Sequence, residues 1–452
     1  MTGIYLSSCN NQTESTIKKE NKTMSFKKAA WINTTNVYEV NLRQYTKEGT
    51  INAFAREIPR LKAMGVETIW FMPLTPIAQK NKKGSLGSYY ACSDYTAVSP
   101  EFGSLEDFKA LVKQAHDSGM KVIIDWVANH TGWDHVWTKT NPDFYLKDSA
   151  TKDFKIASGM DDIIELDYKN PALRKAMIDA MLFWIKECDI DGYRCDLAFW
   201  VELDFWLEAR TEIEKTKTIF WLAENDGIEN PSYYRAFDAC YTWKWMHETE
   251  DFYKKHHDVK KLDSLLHQYD TVGENSDAMK LWFTTNHDEN SWNGTEYEKY
   301  GDAAMALAVF SFTWNGIPLI YSGQELPNKK RLQFFEKDMI EWNGKYELND
   351  FYQTLLKLRK SNSALKAGDG AVTTQIISTG ENNNVLTFIR KNGNDEVLVL
   401  INLSKEKPII SLGGDHKIAG SFIDIFNGSR ADFSKSNTFV LNPWGYLVFE
   451  KR

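Results

Sequence analysis

The feature that most constrains the fold of this chain is a regular alternation of short β-rich runs with longer helical patterns, from about residue 30 to residue 365. The short runs are rich in β-branched and aromatic residues, and the apolar residues between them recur at i, i+3, i+4 and i+7. Strands are predicted over residues 37–41, 68–73, 121–127, 192–196, 219–224, 238–243, 281–286 and 317–323. Eight strands alternating with helices favour a parallel sheet closed into a (β/α)8 barrel, an α/β fold of the TIM type.

Helices are predicted between these strands, for example over residues 50–65, 104–120 and 171–189. Two of them begin at recognisable start signals. Ser104 is a good helix cap, and Pro171 suits the first helical position, where its missing N–H costs nothing.

Three parts of the chain depart from the alternation. The long, polar and aromatic connection after the third strand predicts a small inserted B subdomain over residues 130–166. Towards the C-terminus, short strands separated by Gly, Asn and Asp turns predict an antiparallel β-sandwich domain over residues 365–452. The barrel then comprises residues 28–129 and 167–364, and the polar residues 1–27 are predicted to form a disordered tether.

The composition disfavours two classes of partner. The formal net charge of −8 over 452 residues leaves no basic footprint for nucleic acid or for an anionic membrane surface. No run of 18 or more apolar residues could span a bilayer. The 16 Trp and the 13% aromatic content suit a neutral polar ligand such as a sugar, although any single Trp is more often a core residue.

Acidic residues occur at the ends of three predicted strands. Asp196 ends the fourth strand, Glu224 ends the fifth, and Asp288 follows the seventh. Functional residues of such barrels lie at the carboxyl ends of the strands, so we expect these carboxylates at one rim. Arg194 lies two residues before Asp196 and therefore shares its face, where the guanidinium would keep Asp196 ionised and oriented.

This set of acids predicts a glycosidase. An ionised Asp196 suits a nucleophile, whereas the apolar sequence FWL before Glu224 would raise its pKa, as a general acid requires. A nucleophile and an acid about 5–5.5 Å apart define a retaining glycosidase, and a third carboxylate can brace the sugar. A single Asp at a strand end is more often a helix cap, but three acids, one Arg and two His at successive strand ends favour catalysis.

Several longer motifs occur in a fixed order along the chain. They are "GVETIWFMPL" (65–74), "GSYYACSDYTAVSPEFG" (87–103), "DWVANH" (125–130), "ELDYKNP" (165–171), "GYRCD" (192–196), "FWLAEN" (220–225) and "FTTNHDEN" (283–290). As an ordered set they resemble the α-amylase family, glycoside hydrolase family 13. The resemblance runs from about residue 30 to the C-terminus and implies the three-domain plan of that family: a barrel, an insertion and a β-sandwich.

The resemblance implies roles for the catalytic residues. Asp196 would be the nucleophile, Glu224 the acid/base and Asp288 the stabilising carboxylate. Arg194 would orient Asp196. Asp125 is expected to be structural and to support the rim through backbone hydrogen bonds.

Further residues are expected near the substrate or behind it. Tyr90 would stack on the sugar at the cleavage subsite, a role for which its neighbour Tyr89 is the weaker candidate. His130 and His287 would donate hydrogen bonds to hydroxyls of that sugar. Cys195, between Arg194 and Asp196, is expected to pack between the barrel and the helices.

Two departures from the family pattern bear on metal binding and on specificity. Ala198 and its neighbours replace a Lys-His pair that follows the nucleophile in many starch-cleaving members, so the His that gives a backbone ligand to the common calcium site is missing. Asn129 and Asp167 remain as candidate calcium ligands, and no cofactor is expected to be required. No Asp or Glu occurs from Ala78 to Ser93, where exo-acting relatives usually carry an acid, and this favours endo cleavage.

These inferences predict a retaining, endo-acting hydrolase of α-1,4-glucosidic bonds in starch or maltodextrin, with an α-glucan as its partner. The alternatives are a 4-α-glucanotransferase, a cyclomaltodextrinase or α-glucosidase-type enzyme, and a non-catalytic glucan-binding protein on the same fold. Transfer and hydrolysis differ only in the acceptor, a sugar or water. A binding protein usually lacks one or more of the three acids, and all three are present here.

Cys9 bears on where in the cell the protein is located. It follows "LSS" and precedes a polar run, which resembles the end of a bacterial lipoprotein signal, although the basic and full apolar regions of such a signal are missing. A lipid on Cys9 would place the protein in a bacterial periplasm or at the cell surface. Without that lipid, a cytoplasmic maltodextrin enzyme is expected.

Overall fold

The computed structural model describes residues 26–255, 259–273, 277–379, 384–412, 418–435 and 438–451. Its centre is a closed barrel of eight parallel strands, in which each strand pairs with the next in sequence and the eighth pairs with the first. The strands are β1 (Val37–Val40), β2 (Thr68–Phe71), β3 (Lys121–Val127), β4 (Gly192–Asp196), β5 (Phe220–Asp226), β6 (Ala239–Tyr241), β7 (Met279–Trp282) and β8 (Ile317–Tyr321). All eight predicted strands and the predicted barrel are confirmed. Cys9 lies outside the described residues.

Both faces of the barrel strands are buried in apolar clusters. Trp70, Phe220 and Leu281 point into the barrel, where they belong to one apolar cluster. Their neighbours Phe71 and Trp221 belong to a larger cluster between the strands and the helices. Alternate residues of a strand point to opposite faces, so a strand buried on both sides reads as a continuous apolar run.

Helices surround the barrel. The α-helices are Leu42–Tyr45, Ile51–Ala55, Ile58–Met64, Leu105–Asp117, Trp137–Thr140, Pro171–Cys188, Leu203–Ile213, Trp243–Lys255, Val259–Thr271, Glu296–Tyr300, Ala304–Thr313 and Asn349–Ser361. Ser104 caps its helix in a reciprocal capping box with Asp107. Two differences from expectation appear. The predicted helix over 50–65 is broken before Ile58, because Pro59 fits only the first turn of a helix. The connection from β5 to β6 carries only the 3-10 helix Pro231–Arg235.

The insertion after β3 contains a small antiparallel pair of strands, His130–Gly132 and Ile163–Glu165. It packs closely on the loop after β2. A Cβ atom at Gly132 would lie 2.0 Å from the Cβ of Ala78, so only glycine permits this approach. The insertion is thereby held against one side of the barrel mouth.

The C-terminal strands form a six-stranded and a two-stranded antiparallel sheet. The strands are Thr373–Ile376, Val385–Asn392, Asp395–Asn402, Ile409–Ser411, Ser421–Asp424, Arg430–Asp432, Thr438–Val440 and Tyr446–Lys451. Leu398 and Leu400 belong to a core that both sheets share. Phe388 lies on the opposite face and packs edge-on against Trp314, with ring centroids 4.7 Å apart. The six-stranded sheet is therefore sandwiched between the barrel and the smaller sheet. Among the helices of the described residues, none is long and apolar enough to cross a membrane.

We expect Phe388→Ala to lower the free energy of unfolding by about 3–5 kcal/mol, because it leaves a cavity between barrel and sheet. Urea denaturation followed by tryptophan fluorescence measures the loss. Ile409→Ala is the control: Ile409 is 72% exposed, so its change should stay within about 0.5 kcal/mol. Equal losses in the two variants would contradict the packing described here.

Candidate active site

The predicted functional side chains meet in one cavity at the carboxyl end of the barrel. The cavity has a volume of about 520 Å³, within the range of roughly 300–1,000 Å³ for small-molecule sites. It is lined by Lys83, Ser88, Tyr90, His130, Met160, Asp162, Ile163, Asp196, Leu197, Trp200, Glu224, Asp288, Trp292, Phe334 and Phe335. All three predicted acids are included.

A fully buried guanidinium lies beneath this cavity. Arg194 Nη1 donates to Asp196 Oδ1 at 2.8 Å and to Asp125 Oδ1 at 2.9 Å. Its Nη2 lies 2.9 Å from Glu224 Oε2, an ion-pair distance without an aligned hydrogen bond. The guanidinium therefore places Asp196 and Glu224 next to each other at the rim, on either side of one cation.

The local backbone aims these groups. Arg194 and Asp196 alternate with Cys195 along β4, and Cys195 packs in the cluster between strands and helices, as expected. Leu197 follows with φ of 40°, a left-handed conformation that costs a non-glycine residue about 1–3 kcal/mol. In this conformation the Leu197 N–H donates to Glu224 Oε2 at 2.9 Å. The pairing of β5 with β6 also shifts register around Glu224, a bulge of the kind that redirects side chains beside active sites.

Burial dominates the titration of the two acids. It raises the pKa of Glu224 to about 7, opposed by Arg194 and assisted by the charges of Asp196 and Asp288. It also raises the pKa of Asp196 to about 6, again opposed by Arg194. The sequence correctly suggests a raised pKa for Glu224. For Asp196, the ion pair limits a rise that burial causes, and the carboxyl is ionised only above about pH 6.

A second polar cluster is built around His287. Its Nε2 lies 3.2 Å from Asp288 Oδ2 and 2.8 Å from Tyr90 Oη, and its Nδ1 lies 2.5 Å from Glu39 Oε1. Burial raises the pKa of Asp288, but the adjacent His287 outweighs it and the net shift is downward. Asp288 is therefore held as a carboxylate at the cavity wall.

The two remaining predicted binding residues also reach the cavity. The Tyr90 ring lines it, whereas Tyr89 is buried behind it with its ring under the Arg43 guanidinium. Burial lowers the pKa of His130 to about 4, so the ring is neutral, and its Nε2 has no hydrogen-bond partner among the described residues. A neutral imidazole nitrogen in a polar cavity is suited to a sugar hydroxyl.

Asp125 differs from expectation. Its two carboxylate oxygens contact side chains, Oδ1 to Arg194 at 2.9 Å and Oδ2 to the Tyr90 hydroxyl at 3.1 Å. The predicted support through backbone hydrogen bonds is replaced by this bridge between the guanidinium and the stacking ring. Asp125 therefore forms part of the charge cluster at the bottom of the site.

Sequence reasoning missed Glu39 and an aromatic wall of the cavity. Glu39 interrupts the apolar strand sequence VYEV, and a charge inside a buried strand was a usable signal. The wall comprises Trp292, Phe334 and Phe335, with Phe334 stacked 6.1 Å from Tyr90. These rings come from loops after β7 and β8 that carry no periodic pattern.

The two candidate calcium ligands lie next to each other's segments, since Leu166 N donates to the Asn129 carbonyl at 3.1 Å. Asp167 Oδ1 already accepts the Lys169 N–H at 3.1 Å, and Asn129 Nδ2 faces His130 Nδ1 at 3.4 Å. Among the described residues, no three His, Cys, Asp or Glu side chains cluster as metal ligands would. Calcium takes six to eight oxygens, including backbone carbonyls and waters, so binding at Asn129 and Asp167 stays a prediction.

The barrel, with paired carboxylates at its carboxyl rim and an aromatic-walled cavity, defines a glycoside hydrolase. The chain belongs to the α-amylase family, since residues 4–161 and 144–344 match the family described as "Alpha amylase, catalytic domain". The resemblance of the motifs is thereby confirmed.

Two similar proteins agree with this family assignment. Alpha-amylase 2 of Dictyoglomus thermophilum is 26% identical over 421 residues, which cover 87% of this chain and 69% of that protein. A cyclomaltodextrinase from a Bacillus species is 25% identical over 386 residues, which cover 79% of this chain and 66% of that protein. The chain thus spans about two thirds of the length of these relatives.

Solved structures show the same architecture over nearly the whole chain. An alpha-amylase from Lactobacillus plantarum is similar with a TM-score of 0.82 and 28% identity, covering 92% of this chain and 99% of that one. A maltogenic alpha-amylase from Thermotoga neapolitana has a TM-score of 0.83 and 27% identity, covering 93% and 99%.

We expect Arg194→Met to lower the free energy of unfolding by about 3–5 kcal/mol at pH 8, because it leaves three buried carboxylates without their cation. The loss should be smaller at pH 5. At pH 5 Asp196 and Glu224 are mostly protonated in the folded state with or without Arg194, because their pKa values are about 6 and 7 beside the guanidinium and would be higher without it. The variant therefore loses stability relative to wild type mainly as pH rises through these values. Urea denaturation at the two pH values measures both.

The control is Arg56→Met, which removes an exposed pair with Glu48 and should cost well under 1 kcal/mol at either pH. A loss in Arg194→Met that does not depend on pH would contradict the charge cluster.

Proposed function

We propose that this member of the α-amylase family is a retaining hydrolase of α-1,4-linked glucans. The observation that carries the proposal is the contact of one buried guanidinium, that of Arg194, with both Asp196 and Glu224. Two carboxyl groups that share one cation fit a double-displacement mechanism, in which nucleophile and acid lie about 5–5.5 Å apart and no water stands between the sugar and the nucleophile.

The two acids would act in sequence. Glu224, protonated because its pKa is raised, gives its proton to the glycosidic oxygen as Asp196 attacks the anomeric carbon. The bond to the leaving sugar breaks and a covalent glycosyl–Asp196 ester forms. Glu224, now ionised, takes a proton from water, and the resulting attack on the anomeric carbon releases the sugar and frees Asp196.

The other cavity residues suit the sugar at the cleavage point. Asp288 is a carboxylate placed to brace hydroxyls or the developing positive charge on the ring. The exposed face of Tyr90 offers a stacking surface, and His130 offers an unpaired ring nitrogen. We propose an endo mode of cleavage, supported by the absence of an acid before Tyr90 in the sequence.

One feature favours a second candidate, an enzyme of the cyclomaltodextrinase or maltogenic type that acts on short or cyclic dextrins. The loop after β2 is joined to the loop after β8, since Ser85 N donates to Glu336 Oε1 at 2.8 Å and Leu86 N donates to Phe335 O at 3.2 Å. Gly84 packs tightly beneath Phe335, with φ of 63°. This joined wall closes one flank of the cavity beside Tyr90, and relatives of both types exist.

Product analysis separates these candidates. Wild type should convert maltoheptaose into shorter oligosaccharides whose first-formed anomer is α, as mass spectrometry and anomeric NMR record. Asp196→Asn should lower kcat by at least about 10³-fold, whereas exposed Asp117→Asn should leave it unchanged.

Mixed internal products indicate the endo mode, and faster turnover of cyclic dextrins indicates the second candidate. Products longer than the substrate would reassign the protein to transfer. Binding of α-glucan without turnover would overturn the hydrolase proposal.

We expect kcat/KM to reach a narrow maximum between about pH 6 and pH 7. Below it Asp196 is protonated, and above it Glu224 has lost its proton; the two values belong to the interacting pair. The control is Glu224→Gln assayed on an aryl maltoside whose leaving group needs no acid. That variant should keep the acidic limb of the profile for glycosylation and lose the basic one. A basic limb that survives would exclude Glu224 as the acid.

A further inference from the structure

Glu39 is a charged residue with no assigned part in the chemistry. It lies in the middle of β1 with none of its surface exposed, and Ser322 N donates to its backbone oxygen at 3.1 Å. Its side chain points towards the barrel mouth, where Oε1 lies 2.5 Å from His287 Nδ1. Oε2 has no hydrogen-bond partner among the described residues. Burying a carboxylate in this way is costly unless a cation compensates it.

The cation that faces Glu39 most directly is His287. Both ring nitrogens of His287 point at oxygen atoms: Nδ1 at Glu39, and Nε2 at Asp288 Oδ2 and Tyr90 Oη. The Tyr90 hydroxyl is positioned to donate to Asp125 Oδ2, which leaves its own oxygen free to accept. Only a doubly protonated imidazole can donate from both nitrogens, because the neutral ring has one N–H.

The surrounding charges favour that state. The titratable groups around the pair are Glu39, Tyr90, Asp125, Arg194, Tyr241, Asp288 and Tyr321. Burial alone would lower the pKa of His287, but Asp288 and Glu39 more than offset this and raise it well above its usual value. Burial raises the pKa of Glu39, and the His287 cation opposes that shift.

We propose that Glu39 is a positioning residue that acts through His287: its carboxylate keeps the imidazole doubly protonated, so that Nε2–H holds Asp288 ionised and fixed beside the sugar. The role of Asp288 in this statement rests on the proposed function. Glu39 itself does not line the cavity. The sequence places it 248 residues from its partner, in a strand that otherwise serves only the barrel core.

Glu39→Gln tests the proposal because it keeps the size of the side chain and an oxygen that accepts from Nδ1–H, and removes only the charge. The pKa of His287 should then fall, and above the new value Nε2 should lose its proton and with it the ion pair with Asp288. The kcat of the variant should fall about ten- to a hundredfold at pH 8 with little change in KM, less than the loss expected for a group that touches reacting atoms. At pH 5.5, where His287 is protonated in both proteins, the ratio of wild-type to variant kcat should approach one.

The charge state itself is read by ¹H–¹⁵N NMR of protein labelled with ¹⁵N-histidine, with His287 assigned by its loss in His287→Asn. Both ring nitrogens should be protonated at pH 7.5 in wild type, and only Nδ1 in Glu39→Gln. Glu39→Asp, which keeps the charge, should retain a protonated Nε2. The control is Glu296→Gln, another buried carboxylate that accepts from Gln324 Nε2 at 3.0 Å and does not contact His287. Any effect of Glu296→Gln on kcat should not vary with pH.

A neutral His287 in wild type at pH 7.5, or a loss in Glu39→Gln that is constant from pH 5.5 to pH 8, overturns the proposal and leaves Glu39 a packing residue. Failure of the proposed function is distinguishable from this outcome. Were wild type inactive on every α-glucan, the hydrolase assignment would fall, and the NMR spectra of the free protein would still decide whether Glu39 holds His287 protonated.

Discussion

The buried guanidinium of Arg194 is the interaction on which the rest of the site depends. It is the cation nearest to Asp125, Asp196 and Glu224, three carboxyl groups that have been taken out of water. Without it, their mutual repulsion and their desolvation would oppose folding of the barrel mouth. With it, Asp196 and Glu224 lie side by side, while burial still raises their pKa values to about 6 and about 7.

The barrel makes this arrangement geometrically possible. In the parallel pairing of β3 with β4, Asp125 lies directly opposite Arg194, and β5 follows as the next strand with Glu224 near its end. Three consecutive strands thus present four charged groups at the same rim, two of them on β4. The scaffold that holds them has apolar side chains on both its inner and outer faces. The rigid strands hold the charges, and the loops above them supply the aromatic walls.

A second charge cluster lies across the barrel mouth and is joined to the first through one phenol. Glu39 on β1 and His287 and Asp288 after β7 form this second cluster. The Tyr90 hydroxyl contacts both Asp125 and His287, so the ring that offers a stacking surface is anchored to both clusters at once. The position of the Tyr90 ring, the charge cluster around Arg194 and the ionisation of Asp288 are therefore coupled through short contacts rather than set independently.

The sequence by itself determined the fold and most of the site. Strands of β-rich residues, helices of period 3.6, and acids at the strand ends are local patterns, and a barrel brings strand ends together by its topology alone. Tertiary structure decided what depends on residues far apart in the chain: the contact of Glu39 with His287, the bridge from Asp125 to Tyr90, and the joining of Ser85 to Glu336. It also decided that burial outweighs Arg194 in setting the pKa of Asp196. Desolvation and contacts between residues far apart in the sequence arise only when distant segments pack together. No local pattern of residues encodes them.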